Sequence, residues 1–373
     1  MFFKLKPIRQ TGGVEMNLIG MQSGRTAPIK RTTGHEAWAD VARGAATILV
    51  VLLHVREWHY LFLGWQFPGR PAWDAFIAVS GTIRMPLFFA ISGMLAHGAV
   101  MRPWQQGGKR RLVNGAFLYV VWLSIYALFY APLPDMPEAV HGVGDALLQL
   151  VAPHTALWYL WALAMYFALT KALRNMNRWP VLAAAAALCV VGSSIVLPDS
   201  FGMWQSILKN LVYFMAGAYG PWLLRSISDA TSWKTLTVAG AAFLATTAGL
   251  LAAPDFVHWF GADLVAGLIA IVFAVQLATV ATRWQVLRRP FAAVGQRALS
   301  IFLMQALFIA LLNALALGVM GDSYGAAVNG TALGAAYPGI ATVTVVAACL
   351  GAHRLLLFVR AKWLLEAPAK LAS

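Results

Sequence analysis

The sequence predicts an all-α integral membrane protein with about ten transmembrane helices and both termini in the cytoplasm. Of its 373 residues, 60% are hydrophobic and only 11% are charged, whereas soluble domains carry about 25% charged residues. The apolar residues form runs close to the roughly 20 residues that a helix needs to cross a bilayer. The basic residues collect in alternate connections between those runs. We therefore expect a single membrane domain.

The apolar runs give the predicted elements in chain order. The ten spans lie at about residues 41–62, 77–98, 112–131, 155–173, 180–197, 205–224, 235–253, 262–282, 298–318 and 337–358. Residues 1–35 are predicted to be a flexible basic cytoplasmic tail, 36–360 the transmembrane domain and 361–373 a short cytoplasmic tail.

The distribution of charge predicts the orientation. Of the 28 Lys and Arg residues, 24 lie in the terminal segments or in alternate connections, while the opposite connections carry acids such as Asp74 and Asp135. This is the positive-inside pattern. It accounts for the net charge of +14 through contact with membrane lipid, so no nucleic-acid partner is expected. Cys189 and Cys349 lie in apolar runs and are predicted to be core residues, and no metal site is expected.

Four ionisable residues fall at a similar depth inside predicted spans: His54, Glu57, Arg84 and Lys209. A charge at the bilayer centre costs about 2.5–3.5 kcal/mol on insertion scales, so such residues are usually paired or functional. The favoured interpretation is a buried polar site shared by three helices. The alternative is a structural ion-pair network such as Glu57 with Arg84.

The first span carries the most specific spacing. Arg43 and His54 are eleven residues apart, which is about three helical turns, so they share a face and lie roughly 16 Å apart along the axis. Arg43 near the interface suits a phosphate, and His54 lies deeper. Asp40 is placed to orient Arg43, and Glu57 to hold the His54 tautomer. A core histidine and an interfacial Asp40–Arg43 cap remain open as alternatives.

Two motifs resemble a known family. Residues 38–54, WADVARGAATILVVLLH, resemble the first helix of the acyltransferase 3 family, and residues 84–95, RMPLFFAISGML, resemble its second signature. Weaker similarities are at 109–112, 157–160, 213–217 and 295–305, so the resemblance covers about residues 36–360. Gln305 stands where many members have His, Phe302 stands for Tyr, and no R-x-x-R motif is present.

The resemblance implies transfer of an acyl group, expected to be acetyl, from acyl-CoA to a hydroxyl of a glycan, lipid-linked sugar or small molecule. It implies an enzyme of the bacterial inner membrane with acyl-CoA as co-substrate and no bound cofactor. His54 would act as general base or transient acyl acceptor. The basic residues Arg43, Lys109, Arg110 and Arg111 would hold the donor phosphates. Arg84 or Lys209 would stabilise the oxyanion, and Gln305 would contact the oxyanion or acceptor.

Further expectations concern packing and alternative functions. Phe88, Phe89, Ser92 and Gly93 are expected to pack the second helix against the first. Tryptophans 58, 65, 73 and 158 are interpreted first as an interfacial aromatic belt and second as sugar-stacking residues. A transporter or flippase with a midplane charged site is the alternative function, suggested by Pro86 inside the second span. A structural or sensory membrane protein is a further alternative.

Overall fold

The computed structural model describes residues 36–198, 201–252, 261–320, 328 and 332–368. The predicted tail at 1–35 lies outside these residues. All the regular secondary structure that is described is helical, which confirms the all-α prediction.

Thirteen α-helices are described. They are α1 (Ala37–Val55), α2 (Arg70–Met101), α3 (Lys109–Tyr130), α4 (Gly142–Leu148), α5 (Trp158–Ala172), α6 (Arg178–Ser194), α7 (Trp204–Tyr219), α8 (Pro221–Asp229), α9 (Trp233–Ala252), α10 (Ala262–Ala281), α11 (Gln285–Gln296), α12 (Ala298–Leu315) and α13 (Ala332–Phe358). The described residues also include π-helical segments. Arg56–Tyr60 follows α1, Trp104–Gly108 precedes α3, and Ala316–Met320 follows α12.

Seven helical segments in the described part of the chain are long and apolar enough to cross a membrane. They are Ala37–Tyr60, Arg70–Met101, Lys109–Tyr130, Trp233–Ala252, Ala262–Ala281, Ala298–Gly318 and Gly334–Phe358. The other three predicted spans coincide with α5, α6 and α7, which have 15, 17 and 16 residues. Helices of that length extend about 22–26 Å, less than the roughly 30 Å hydrocarbon core. The count of ten and the orientation of the termini stay predictions.

Helix α2 begins earlier than its sequence pattern predicts. It starts at Arg70 with proline in its first turn, a typical helix-start feature. Gly69 before it adopts the left-handed conformation at φ 83°, which glycine permits at little cost. Asp74 therefore belongs to the helix and not to a connection. The helix continues through Pro86 for 32 residues, so it is not interrupted there as the discontinuous helices of transporters are.

Reciprocal glycine contacts bring two pairs of helices together. A Cβ on Gly93 would lie 2.0 Å from the Phe214 carbonyl oxygen of α7, and a Cβ on Gly217 would lie 2.0 Å from the Ala90 oxygen of α2. The same relation holds between Gly44 of α1 and α11. Small residues permit such close backbone approach. The expectation that Gly93 packs on α1 is wrong, because this glycine faces α7.

The C-terminal segment is docked on α3. The Trp122 indole donates to the Leu364 carbonyl at 2.8 Å, and the Asn114 carboxamide oxygen accepts from the Ala367 amide at 2.7 Å. Arg110 pairs with Glu366 at 3.0 Å. The described part of the predicted short tail is thus held along this helix.

Lys171 is buried at the end of α5, where it closes the C-terminus of α2. Its ammonium group donates to the carbonyl oxygens of Ala99 and Arg102, each at 2.6 Å. The last carbonyls of a helix have no partner inside the helix, and a cation there also interacts favourably with the helix dipole. Lys171 is therefore a cap for α2.

Replacement of Lys171 by Met is expected to lower the free energy of unfolding by about 3 kcal/mol, because buried carbonyls lose their donor. The measurement is thermal unfolding of the purified full-length protein in detergent. Lys234→Met, which removes an exposed lysine at the start of α9, serves as the matched control. Equal unfolding midpoints for the two variants would contradict the capping role.

Candidate functional site

Arg43 lines a cavity of about 350 Å³ between α1, α2, α3 and α5. We call it the arginine cavity. Its wall also includes Phe88, Ser92, Arg111, Asn114, Tyr159, Phe167, Phe214 and Leu299. The Arg43 guanidinium lies 5.9 Å from the centre of the Phe88 ring, and its Nε atom is buried without a hydrogen-bond partner. A second guanidinium, that of Arg111, makes the cavity suitable for an anion.

The close approach of α11 to α1 determines the partner of Asp40. A Cβ on Gly295 would lie 1.9 Å from the Asp40 carbonyl oxygen, so α11 runs directly beside the start of α1. The buried Asp40 carboxylate accepts a hydrogen bond from Gln296 at 2.9 Å. Asp40 therefore ties α1 to α11, a long-range contact that the spacing within α1 does not show.

The three residues of the predicted basic cluster, at the start of α3, have different surroundings. Arg111 turns into the arginine cavity, where it also lies 5.7 Å from the centre of the Phe167 ring. All three residues are exposed at the level of the whole side chain, and Arg110 pairs with Glu366. Of the three residues, Arg111 is the one that shares a cavity with Arg43.

His54 lies in a separate polar layer. Its ring stacks on the ring of Trp58, with centres 3.7 Å apart and planes 12° apart. Gln305 and Arg84 are close enough to influence it. Yet His54 Nδ1 and both polar atoms of the Gln305 amide are buried with no hydrogen bond of good geometry. Unsatisfied buried polar groups cost about 1–3 kcal/mol each, so this layer is suited to a polar ligand.

A cluster of three packed rings borders the arginine cavity. The rings of Phe88, Tyr159 and Phe302, here called the ring layer, have centres 4.6–5.1 Å apart. Phe88 is one turn from Arg84 on α2, and Phe302 is one turn from Gln305 on α12. Because Phe88 and Tyr159 also line the cavity, we infer from these helix positions that the ring layer lies between the cavity and the polar layer. His54 is not among the residues that line the arginine cavity, so a single pocket shared by Arg43 and His54 stays a prediction.

Glu57 does not orient the His54 ring. Its carboxylate forms an ion pair with Arg56, and Arg56 also binds Asp74 at 2.7 Å. Arg84 donates to the Ile77 carbonyl at 2.9 Å, and Glu57 and Arg84 interact at longer range. The assignment of Glu57 as the group that holds the His54 tautomer is therefore wrong, because the neighbouring arginine binds it.

Lys209 forms an ion pair outside the polar layer of His54. Its ammonium group pairs with Asp263 of α10 at 3.2 Å. Among the described residues, the recorded partner of Lys209 is this aspartate and not His54. A contact of Lys209 with the oxyanion or the acceptor stays a prediction, because equal depth in two helices does not by itself place their side chains on facing sides.

Sequence reasoning missed a buried polar cluster beside His54. His59 and Asn313 are almost fully buried and hydrogen-bond to each other at 2.5 Å, and His59 also bonds to Tyr337. The sequence signal that could have found this cluster is the presence of polar residues within apolar spans, where they are costly to bury. The aromatic-belt interpretation is also wrong for two tryptophans, since Trp158 is buried in the core and Trp58 covers His54.

Comparisons with known proteins agree on one family. The acyltransferase 3 family model, described as an acyltransferase domain, matches residues 36–353. Inner membrane protein YcfT of Escherichia coli (strain K12) is 26% identical over 223 residues, which are 55% of this chain and 62% of that protein. Nodulation protein NolL of Mesorhizobium japonicum is 26% identical over 186 residues, 48% of each chain.

These matches leave part of each relative uncovered. The chain matches less than two thirds of the length of either relative. No solved structure gave a significant match.

Proposed function

The chain belongs to the acyltransferase 3 family, and on that premise we propose that it moves an acyl group from acyl-CoA to a hydroxyl of a sugar or similar acceptor. It is a multi-pass protein of the bacterial inner membrane, as its seven candidate spans and its similarity to an inner membrane protein support. Arg43 and Arg111 hold the donor phosphates, and His54 is the general base.

One observation carries this proposal. Arg43 and His54, selected by their spacing, and Gln305, selected by the family resemblance, carry buried polar atoms without a hydrogen bond of good geometry, namely Arg43 Nε, His54 Nδ1 and both amide atoms of Gln305. A purely structural set of buried polar residues is normally satisfied by hydrogen bonds. Arg43 and His54 carry such atoms at two depths of one face of α1. This supports a substrate long enough to contact both residues.

The chemistry follows from these positions. His54 takes the proton of the acceptor hydroxyl, whose oxygen attacks the thioester carbonyl carbon. Arg84, which is close enough to influence His54 electrostatically, stabilises the oxyanion of the tetrahedral intermediate. The carbon–sulfur bond then breaks, the CoA thiolate leaves with its electron pair, and the proton held by His54 passes to it. The acceptor gains an ester, CoA leaves as the free thiol, and His54 returns to its starting protonation state.

The ring layer adds a requirement. The thioester reaches His54 from the arginine cavity only when the Phe88, Tyr159 and Phe302 rings separate. Tyr159 is hydrogen-bonded to Ser92 at 3.3 Å, so the pantetheine arm would displace a weak contact and ring packing. Binding of the donor phosphates to Arg43 is coupled to this separation of the rings.

The proposal is tested with purified protein in liposomes, labelled acetyl-CoA or succinyl-CoA, and a glycan extract as acceptor. Release of free CoA thiol and label in the glycan are both expected. A transporter would move label without releasing CoA. Absence of CoA release with every donor and acceptor supplied would overturn the proposal.

Replacement of Arg43 by Gln is expected to raise the KM for acyl-CoA on the order of 10-fold, because a charge-assisted hydrogen bond to phosphate contributes about 1.5–3 kcal/mol. KM and kcat for acyl-CoA are measured separately. Arg178→Gln, which removes an exposed arginine at the start of α6, is the control and should leave KM within about twofold. An unchanged KM in the Arg43 variant would show that the donor binds elsewhere.

A further inference from the structure

We propose that Asn313 is a positioning residue that holds Trp58 against His54, and that His59 and Tyr337 fix Asn313 in turn. The name "clamp" denotes Asn313, His59 and Tyr337 below. The inference rests on the proposed function, since it assigns a role toward the same histidine. It concerns residues on three helices that no family motif in this sequence includes.

The clamp acts at an irregular turn of the first membrane helix. The α-helix ends at Val55, one residue after His54, and continues as the π-helical segment Arg56–Tyr60. Such π-helical turns occur often at functional sites. Trp58 lies in this turn, and its ring returns over the His54 ring at 3.7 Å. The backbone of this turn therefore decides where the Trp58 ring lies.

Asn313 holds that backbone. Its Nδ2 donates to the Trp58 carbonyl oxygen at 2.7 Å, while its Oδ1 accepts from Nδ1 of His59 at 2.5 Å. Nε2 of His59 accepts from the Tyr337 hydroxyl. Asn313 and His59 are 1% and 0% exposed. A satisfied buried network of this kind is rigid, so it fixes the π-helical turn relative to α12 and α13.

The stack with Trp58 is the closest side-chain contact that the described structure records for the His54 ring. Its Nδ1 atom has no hydrogen bond of good geometry, and Glu57 is bound to Arg56. The Trp58 ring, nearly parallel at 12°, restricts rotation of the imidazole plane. A base must point a ring nitrogen at the acceptor hydroxyl, and a misplacement of about 1 Å can cost on the order of 100-fold in rate.

The test is a double-mutant cycle in the full-length protein with Trp58→Ala, Asn313→Ala and both together. We expect each single variant to lower kcat on the order of 10- to 100-fold with little change in the KM for acyl-CoA. The double variant should be no slower than the slower single variant, because both remove the same stack. Effects that multiply would overturn the proposal.

Two further variants separate positioning from folding. Asn313→Asp keeps the side-chain volume and an acceptor for His59 but loses the donor to Trp58, so it should lower kcat as Asn313→Ala does. Asn210→Ala removes a buried asparagine of α7 that bonds a carbonyl of its own helix at 2.8 Å. It should leave kcat unchanged. A normal kcat for Asn313→Asp would contradict the role of the Trp58 contact.

A readout independent of catalysis distinguishes failure of the clamp from failure of the proposed function. Diethyl pyrocarbonate modifies imidazole nitrogens, and the rate of modification at His54 is measured by mass spectrometry. Loss of the stack in Trp58→Ala and in Asn313→Ala should raise that rate to the same extent. A wild-type labelling rate in Asn313→Ala would overturn the clamp even if the chain transferred no acyl group. Raised labelling without any transfer would retain the clamp and reject the acyltransferase proposal.

Discussion

Replacement of His54 by alanine is expected to lower acyl transfer on the order of 10²- to 10⁴-fold, the usual contribution of general base catalysis. The imidazole is the group in the polar layer that can take a proton from the acceptor hydroxyl and return it. Arg84 and Gln305 remain in the variant, so binding is affected less than kcat. The measurement is kcat for CoA release in liposomes at saturating acyl-CoA.

The matched control for this variant is His97→Ala. His97 lies on α2, and its Nδ1 bonds the Ala218 carbonyl oxygen at 2.7 Å, which is the ordinary structural role of a histidine in a membrane helix. Its loss should leave kcat unchanged and lower the unfolding temperature slightly. A His54→Ala protein that folds and transfers acyl groups at the wild-type rate would exclude the proposed mechanism.

Replacement of Gly93 by alanine is expected to destabilise the fold by about 3 kcal/mol, in the upper range for overpacking. The added Cβ would lie 2.0 Å from the Phe214 carbonyl oxygen and 2.9 Å from the Ala218 amide nitrogen. Both are backbone atoms, so relief requires α2 and α7 to move apart along their whole contact. Thermal unfolding of the detergent-solubilised protein measures the loss.

Gly98→Ala provides the control on the same helix. Nothing lies within 4 Å of a Cβ built at Gly98, and alanine favours a helix interior by about 1 kcal/mol over glycine. This variant is expected to be as stable as the wild type or slightly more stable. A Gly93→Ala protein with the stability of Gly98→Ala would show that α2 and α7 do not pack through their glycines.

Much of the fold and part of the site could be predicted from the sequence. Apolar composition and charge alternation indicated an all-helical membrane protein, because a bilayer permits few backbone structures. The residues 38–54 and 84–95 indicated the family that the comparison later matched. Helical rise alone placed Arg43 and His54 at two depths of one face, and these residues carry unpartnered buried atoms.

The sequence by itself determined the properties of each single helix: its length, which residues share a face, and the depth of each residue. The tertiary structure decided which faces meet. It turned Gly93 toward α7, bound Glu57 to Arg56 and Lys209 to Asp263, and placed Asn313 beside Trp58. Spacing along a helix follows from a constant rise, whereas contacts between helices depend on crossing angles and close packing that residues distant in the chain create together.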